Sequence, residues 1–446
     1  MKIAASIVGL QQVKRPIFGL SRNPFVRNVA IVASGTAAAQ IIGFAFAPLV
    51  TRLYEPDSFG ALGVFLAIAA MVTSTAALSY PIAIVLPKDD AEALGIVRLS
   101  LMIAAATTMI TTLFLLGFKD TIVQILNIDA ISSFIFLIPV FMFCRACLAI
   151  MDQWVIRKKL FKVKAKVTVA QAFLLNSAKV SIGLVNPVAA VLVVLTVIGA
   201  LFHAVMLVIG VRKASGGAQR RTLVVAPIMA LAKRYRDFPL YRAPGQLLNA
   251  VTHGLPVLMI SSFYGPASAG FYALGVGVLG MPSALIAKSV GDVFYPKINE
   301  AAHRKENLTI MIFKATLGLF LVGVVPFLTV VGFGPFLFSF VFGSDWAVSG
   351  DYARWLALWF FFGFLNKPSV VALPVLSAQR LHLIFSCFSI LARAVVLSLS
   401  YYYYKNALVS VALFSIIGVI LNIILILLVR QLSSAYDLSR SVSQQR

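Results

Sequence analysis

Tyr54-Glu55-Pro56-Asp57-Ser58-Phe59-Gly60 and Tyr264-Gly265-Pro266-Ala267-Ser268-Ala269-Gly270 share the pattern Tyr-x-Pro-x-Ser-x-Gly at an offset of 210 residues. Pro87-Lys88 and Pro296-Lys297 repeat at an offset of 209. Each heptapeptide reads as a turn followed by a helix start: proline fixes φ, serine is a good cap, and glycine permits close packing. Each also follows an apolar stretch long enough to cross a bilayer, so the two copies mark corresponding points of a duplicated membrane unit.

The composition agrees. The chain has 446 residues, 60% of them apolar and 12% charged, with a mean hydropathy of +0.95. A water-soluble globule is nearer half apolar and a quarter charged. A spanning helix needs about 20 mostly apolar residues, and that rule predicts about twelve transmembrane helices, at 28–51, 60–86, 99–118, 131–151, 167–185, 186–211, 244–264, 267–287, 308–331, 355–376, 383–402 and 408–429. Six spans separate the two heptapeptides, so both copies have the same orientation in the bilayer and the repeat is parallel, about an axis along the membrane normal. The expected fold is an all-α integral membrane protein of two six-helix lobes related by a pseudo-twofold. Its parts are an N-terminal segment 1–27, an N-lobe 28–211, a basic linker 212–243, a C-lobe 244–430 and a tail 431–446. Met1 to Leu10 is apolar for too few residues to be a signal peptide and reads as an interfacial lead-in.

Lys and Arg number 38 against 15 Asp and Glu, a net charge of +23. Arg52, Lys119, Arg354 and Lys405 fall on one side of the predicted membrane; Arg145, Lys179, Lys314, Lys367 and Arg393 fall inside spans; the other 29 lie on the side of the termini. The positive-inside rule then places both termini in the cytoplasm. Since the basic surplus is largely a topology signal, nucleic acid is not an expected partner. Leu223 to Ala232, flanked by Arg220-Arg221 and Lys233-Arg234, reads as a helix lying in the interface. Cys144, Cys147 and Cys387 sit in apolar surroundings as small core residues. They form no disulfide or zinc pattern, and neither metal nor cofactor is expected.

No Asp or Glu falls within a span, whereas five cations do. Each costs at least about 2.5 to 3.5 kcal/mol at mid-depth, so each is a functional candidate unless its side chain snorkels to water. Lys314 lies close enough to a cytoplasmic end to snorkel. Arg145, about six residues from such an end, either snorkels or faces a cavity. Lys367 and Arg393 are expected near mid-depth and Lys179 in the outer half of its span. They pair on corresponding helices, Arg145 with Lys367 and Lys179 with Arg393.

His382, Ser386, Ser389 and Arg393 form one helical stripe, and Gln246, Asn249 and His253 another. His253 also reads as a hydrogen-bonded core imidazole. Asn176, one turn before Lys179, is either packing glue or a sugar ligand. At the outer mouth, Arg52, Pro56, Gly60, Pro266 and Gly270 read as structural turns, with a gate as the second reading. Uncompensated cations around a cavity call for an anion. A pump for cationic drugs would want a buried acid.

Thr51-Arg52-Leu53-Tyr54-Glu55-Pro56-Asp57-Ser58-Phe59-Gly60 resembles the opening signature of bacterial polysaccharide exporters, the Wzx-like branch of the oligosaccharidyl-lipid flippases, in the superfamily that includes MATE exporters. Three further stretches are similar to the same family: Pro266-Ala267-Ser268-Ala269-Gly270-Phe271-Tyr272-Ala273-Leu274, Tyr295-Pro296, and Phe342-Gly343-Ser344-Asp345-Trp346 with Gly350. The resemblance implies a flippase of the bacterial inner membrane rather than an enzyme. Its activity would move an undecaprenyl-pyrophosphate-linked oligosaccharide to the periplasmic leaflet by alternating access, in lipopolysaccharide or exopolysaccharide assembly.

On that resemblance Lys179, Lys367, Arg393 and Arg145 would hold the pyrophosphate, while Asn249, His253, Ser386 and Ser389 would meet sugar hydroxyls. The partners implied are the lipid-linked oligosaccharide and membrane lipids; a coupling ion and other polysaccharide assembly proteins are left open. Flippases of the peptidoglycan precursor usually have fourteen spans, which argues against that member. The rivals are a multidrug exporter of the same superfamily and a membrane polymerase or acyltransferase. The enzymes would want a large outer loop or a buried His/Asp pair, and the outer connections are short and contain no His. No phosphate-binding glycine-rich loop occurs, so ATP is not expected as the direct energy source.

Overall fold

The computed structural model describes residues 24–214 and 227–444, and no strand occurs among them. The chain runs through α1 (Pro24–Leu53), α2 (Pro56–Thr75), α3 (Asp90–Leu126), α4 (Leu137–Arg157), α5 (Phe161–Gly183), α6 (Ala189–Ala214), a short α7 (Ile228–Arg234), α8 (Ala243–Tyr264), α9 (Pro266–His303), α10 (Leu308–Phe342), α11 (Ala347–Leu365), a short α12 (Lys367–Ala372), α13 (Gln379–Tyr404) and α14 (Ala407–Gln444). Eleven segments are long and apolar enough to cross a membrane. The helix of the remaining predicted span is α5, whose first turns carry Lys162, Lys164 and Lys166. Met109, Ile110, Leu113 and Phe114 on α3, and Leu321, Val322 and Val325 on α10, are uncovered by protein. Such rows of bare apolar side chains on helices belong in lipid, and this is a multi-pass membrane protein.

Helix packing repeats the sequence duplication. In the N-lobe α1 packs on α5, α5 on α6, α6 on α4, and α4 on α2 and α3. In the C-lobe α8 packs on α13, α13 on α14, α14 on α11, and α11 on α9 and α10. The lobes meet where α2 crosses α8 and α9, and where α1 touches α10. The end of the bundle carrying Tyr54 and Tyr264 is called the motif end below; the opposite end, where α1 begins and α14 finishes, is the termini end.

Three spans depart from their predicted continuity: the one expected over 131–151 opens as a 3₁₀ turn over Asp129–Phe134 and is α-helical only from Leu137, and the other two break because of a proline. The span expected over 60–86 is helical only to Thr75; Leu78 and Ser79 take positive φ (46° and 62°), and a 3₁₀ turn covers Tyr80–Val85. Continuing α2 would drive the Pro81 ring against the carbonyl four residues back. The span expected over 355–376 stops at Leu365 and restarts as α12, because Pro368 fits the first turn of a helix but not an interior.

Four helices run to 35 residues or more: α3 has 37, α9 38, α10 35 and α14 38, against about 20 for the hydrocarbon core. At the termini end the excess lengths of α9, α10 and α14 pack together around Ile298, Leu308 and Val429. Asp437 on α14 accepts from Leu308 N at 3.2 Å and Thr309 N at 3.0 Å, a carboxylate at the positive end of α10.

The linker helix expected over Leu223 to Ala232 is α7, and only its part from residue 227 onward lies within the described residues. It rests on protein as well as facing outward. Leu231 is buried while Met229 is bare, Tyr80 Oη donates to the Ala232 carbonyl at 3.0 Å, and Glu92 accepts from Arg234 at 2.8 Å and Tyr235 Oη at 3.0 Å. The interfacial segment expected at the N-terminus lies outside the described residues up to residue 23.

Candidate substrate path between the lobes

The two heptapeptides meet each other. A Cβ added to Gly60 would lie 1.8 Å from the Pro266 carbonyl oxygen, and one added to Gly270 would lie 2.0 Å from that of Pro56. This reciprocal crossing of α2 and α9 requires glycine at both positions, since the obstructing atoms are backbone. Beside it, Trp346 is 1% exposed. Its Nε1 donates to the Thr51 carbonyl at 2.7 Å, and its ring stands edge-on to Phe59 at 4.9 Å. Thr51 Oγ1 donates to the Phe342 carbonyl at 3.0 Å, Arg52 Nη2 to that of Phe340 at 3.1 Å, and Asn127 Nδ2 to that of Ser262 at 2.9 Å. Every one of these bonds joins the N-lobe to the C-lobe. Arg52, Pro56, Gly60, Pro266 and Gly270 therefore sit in one closed seam at the motif end. Thr51 and Trp346 complete it, and no spacing in the sequence pairs them.

The cations separate into groups. Lys367 is half-buried at the start of α12, and His253 on α8 lies within Coulombic reach of both Lys367 and Arg393. The Arg393 guanidinium lies over the Trp359 ring at 4.7 Å and the Phe414 ring at 5.5 Å, and its buried Nε has no partner among the described residues. Ser386 Oγ donates back to the His382 carbonyl at 2.8 Å, and Ser389 is half-buried. The opposite side of α13 exposes Leu383, Ile384, Phe388 and Leu391, so the polar stripe faces protein and the apolar one lipid. On α8, Asn249 and His253 are uncovered, and Gln246 Oε1 accepts from Ser79 Oγ of the N-lobe at 3.2 Å.

In the N-lobe, α4 continues to Arg157. Arg145 consequently stands near the middle of its helix and not six residues from its end. It is exposed, and His203 of α6 lies within its Coulombic reach. Lys179, on α5, lends its carbonyl to Tyr54 Oη at 2.9 Å, and Asn176 Nδ2 donates back to the Ala172 carbonyl at 2.7 Å. Lys179, Lys367 and Arg393 form no ion pair among the described residues.

Two expectations of depth and register change. Because α11 starts at Ala347, Lys367 follows about 30 Å of helix from the motif end. That places it toward the termini end, not at mid-depth. The offset of 210 that superimposes the heptapeptides sets Lys179 level with Ser389, and Gly183 level with Arg393. The paired helices correspond, but their charges stand one turn apart.

Residues 49–351 match the model of a family described as polysaccharide biosynthesis protein, well over half of the chain. The chain belongs to this family. No curated protein sequence matches significantly. Among solved structures, a multidrug resistance MATE family transporter of the MOP superfamily in an inward-facing conformation matches with a TM-score of 0.70 at 14% identity, over 89% of this chain and 95% of that one. The lipid II flippase MurJ, in an inward closed conformation, matches with a TM-score of 0.66 at 11% identity, over 93% of each chain. A MOP superfamily transporter from Pyrococcus furiosus, described as having a binding pocket of reverse polarity, matches with a TM-score of 0.56 at 12% identity, over 92% of this chain and 95% of that one. The polysaccharide family thus shares the two-lobed fold of these transporters.

Proposed function

We propose that this member of the polysaccharide biosynthesis family is a flippase of the bacterial inner membrane, with both termini cytoplasmic. It carries an undecaprenyl-pyrophosphate-linked oligosaccharide to the periplasmic leaflet by alternating access of its lobes. The observation that carries the reading is the C-lobe group of Lys367, Arg393 and His253: two cations with no ion pair among the described residues, in a membrane interior whose sequence offers no carboxylate. Such charges are costly in lipid and become favourable when an anion enters. Arg393, Lys367, Lys179 and Arg145 attract the pyrophosphate, and Asn249, His253, Ser386, Ser389 and Asn176 meet the sugars. The seam around Thr51 and Trp346 closes the periplasmic mouth while the substrate loads from the cytoplasmic side, the polyprenyl tail remaining in lipid. The parts 1–27, 28–211, 212–243, 244–430 and 431–446 serve as lead-in, N-lobe, linker, C-lobe and tail. No step of the cycle makes or breaks a covalent bond in the substrate.

Deleting the protein tests this reading. Lipid-linked oligosaccharide should accumulate on the cytoplasmic side with unchanged glycan length, and surface polysaccharide should fall. Single repeat units gathering in the periplasm would indicate a polymerase instead. Export of small cationic compounds is the second reading, drawn from the fold shared with MATE transporters. It predicts that deletion sensitises cells to cationic dyes and leaves the glycan lipids untouched.

A further inference from the structure

The turn after α2 and the end of α4 border an open crevice of about 470 Å³ at the termini end, lined by Val85, Lys88, Asp90, Ile156, Arg157 and Lys158 among others. That volume falls within the roughly 300–1,000 Å³ of small-ligand pockets. By contrast, the space beside Arg393 and Thr252 is about 10 Å³, at most one water.

Arg157 builds the crevice. Its Nε meets Asp90 at 3.0 Å, Nη1 donates to the carbonyls of Pro87 at 2.6 Å and Ile84 at 3.3 Å, and Nη2 to that of Lys88 at 3.2 Å. These bonds pin the 3₁₀ turn to α4 and occupy the guanidinium. Asp90 also pairs with Lys158, which lies 5.4 Å from the Trp154 ring. Lys88 is exposed and forms no ion pair among the described residues. Two of the three lining cations, Arg157 and Lys158, therefore share the one lining carboxylate, leaving a positive surplus in the crevice.

The rim fixes the kind of anion. Val85, Leu86 and Ile156 are uncovered apolar side chains, and Pro87-Lys88 follows Leu86 directly, so the crevice stands where the apolar part of the bundle gives way to its basic connections. A soluble phosphate has no use for that rim, whereas a phospholipid meets both halves. We propose that the crevice is a structural site for an anionic phospholipid, its phosphodiester beside Lys88 and Lys158 and its acyl chains along Leu86 and Ile156. The site lies away from the path between the lobes and holds α2, α3 and α4 together, so it does not rest on the identity of the transported molecule.

The test is phospholipid retention by the purified full-length protein, measured by native mass spectrometry after delipidation and titration. The protein should retain phosphatidylglycerol and release phosphatidylcholine. Lys88→Glu, at a side chain that makes no bond in the fold, should weaken phosphatidylglycerol roughly thirtyfold, at about 1 kcal/mol for each unit of charge near a membrane surface. Lys88→Arg should keep it. Glycerol 3-phosphate and inorganic phosphate should neither bind measurably nor compete. Equal retention of phosphatidylglycerol by Lys88→Glu and the parent, or equal retention of phosphatidylcholine by the parent, would overturn the proposal. Full competition by glycerol 3-phosphate would also overturn it, by assigning a soluble anion site.

Discussion

At the motif end, Trp346, Thr51, Arg52 and Asn127 hold the lobes together by four hydrogen bonds of 2.7 to 3.1 Å, on top of a glycine crossing in which backbone touches backbone. Among the described residues at the termini end, the side-chain bond between the lobes is that of Ser79 to Gln246, at 3.2 Å, and the linker helix bonds to the N-lobe. A transporter that exposes its interior to one side at a time needs one seam closed while the other can part. The contrast teaches which seam that is: the motif end is built from backbone in contact with backbone, and the termini end rests on a bond to Gln246, an exposed side chain that water can reach.

The contrast can be attacked most severely at Gly60. Gly60→Leu puts a side chain against the Pro266 carbonyl, so closure at the motif end should cost more than about 4 kcal/mol. Surface polysaccharide should then be lost at normal protein abundance in the membrane. Gly63→Ala, whose nearest neighbour is the Ala273 methyl at 3.3 Å, is the mild control and should retain transport.

Next in size come the cations. Arg393→Glu should remove nearly all complementation and Arg393→Ala most of it; Arg393→Lys should keep a part, as a point charge without the planar face that rests on Trp359. Lys179→Ala should behave like Arg393→Ala, and exposed Lys314→Ala should be near neutral. Full complementation by Arg393→Glu and Lys179→Ala would make these residues structural.

Trp346→Phe is gentler, since it keeps an aromatic ring beside Phe59 and removes one hydrogen bond worth about 1 kcal/mol. The open fraction of the motif end should rise about fivefold, read as faster thiol labelling of Ala273→Cys in a background freed of Cys144, Cys147 and Cys387. Smallest of all, Ser79→Ala should change both labelling and transport by less than about twofold, because water takes the hydroxyl's place beside the exposed Gln246 side chain.

Much of this architecture was legible in the sequence because a bilayer leaves few options: backbone polar groups in lipid must pair within a helix, so apolar length alone located the spans. The heptapeptides Tyr54–Gly60 and Tyr264–Gly270 also revealed the duplication, and the structure brings those same residues into contact. Continuity was less legible. Pro81 and Pro368 break their spans where hydropathy runs on, and the extra turn of α4 to Arg157 moves Arg145 to the middle of its helix. Least legible was what each cation faces. Helical spacing puts Arg393 on a polar stripe, but Trp359 and Phe414 come from α11 and α14, and no local pattern encodes such a meeting. Thr51 and Trp346 escaped for the same reason, being 295 residues apart.

The most direct test of the account is to lock the closed seam. A Cβ on Gly63 would lie 3.3 Å from that of Ala273, close to the roughly 3.5–4.5 Å of a disulfide. Gly63→Cys with Ala273→Cys, in the cysteine-free background, should therefore crosslink α2 to α9 across the lobes. In proteoliposomes loaded with polyprenyl-pyrophosphate-linked oligosaccharide, movement of the glycan between leaflets should stop on oxidation and resume on reduction. Transport at the full rate by the crosslinked protein would contradict alternating access through the motif end.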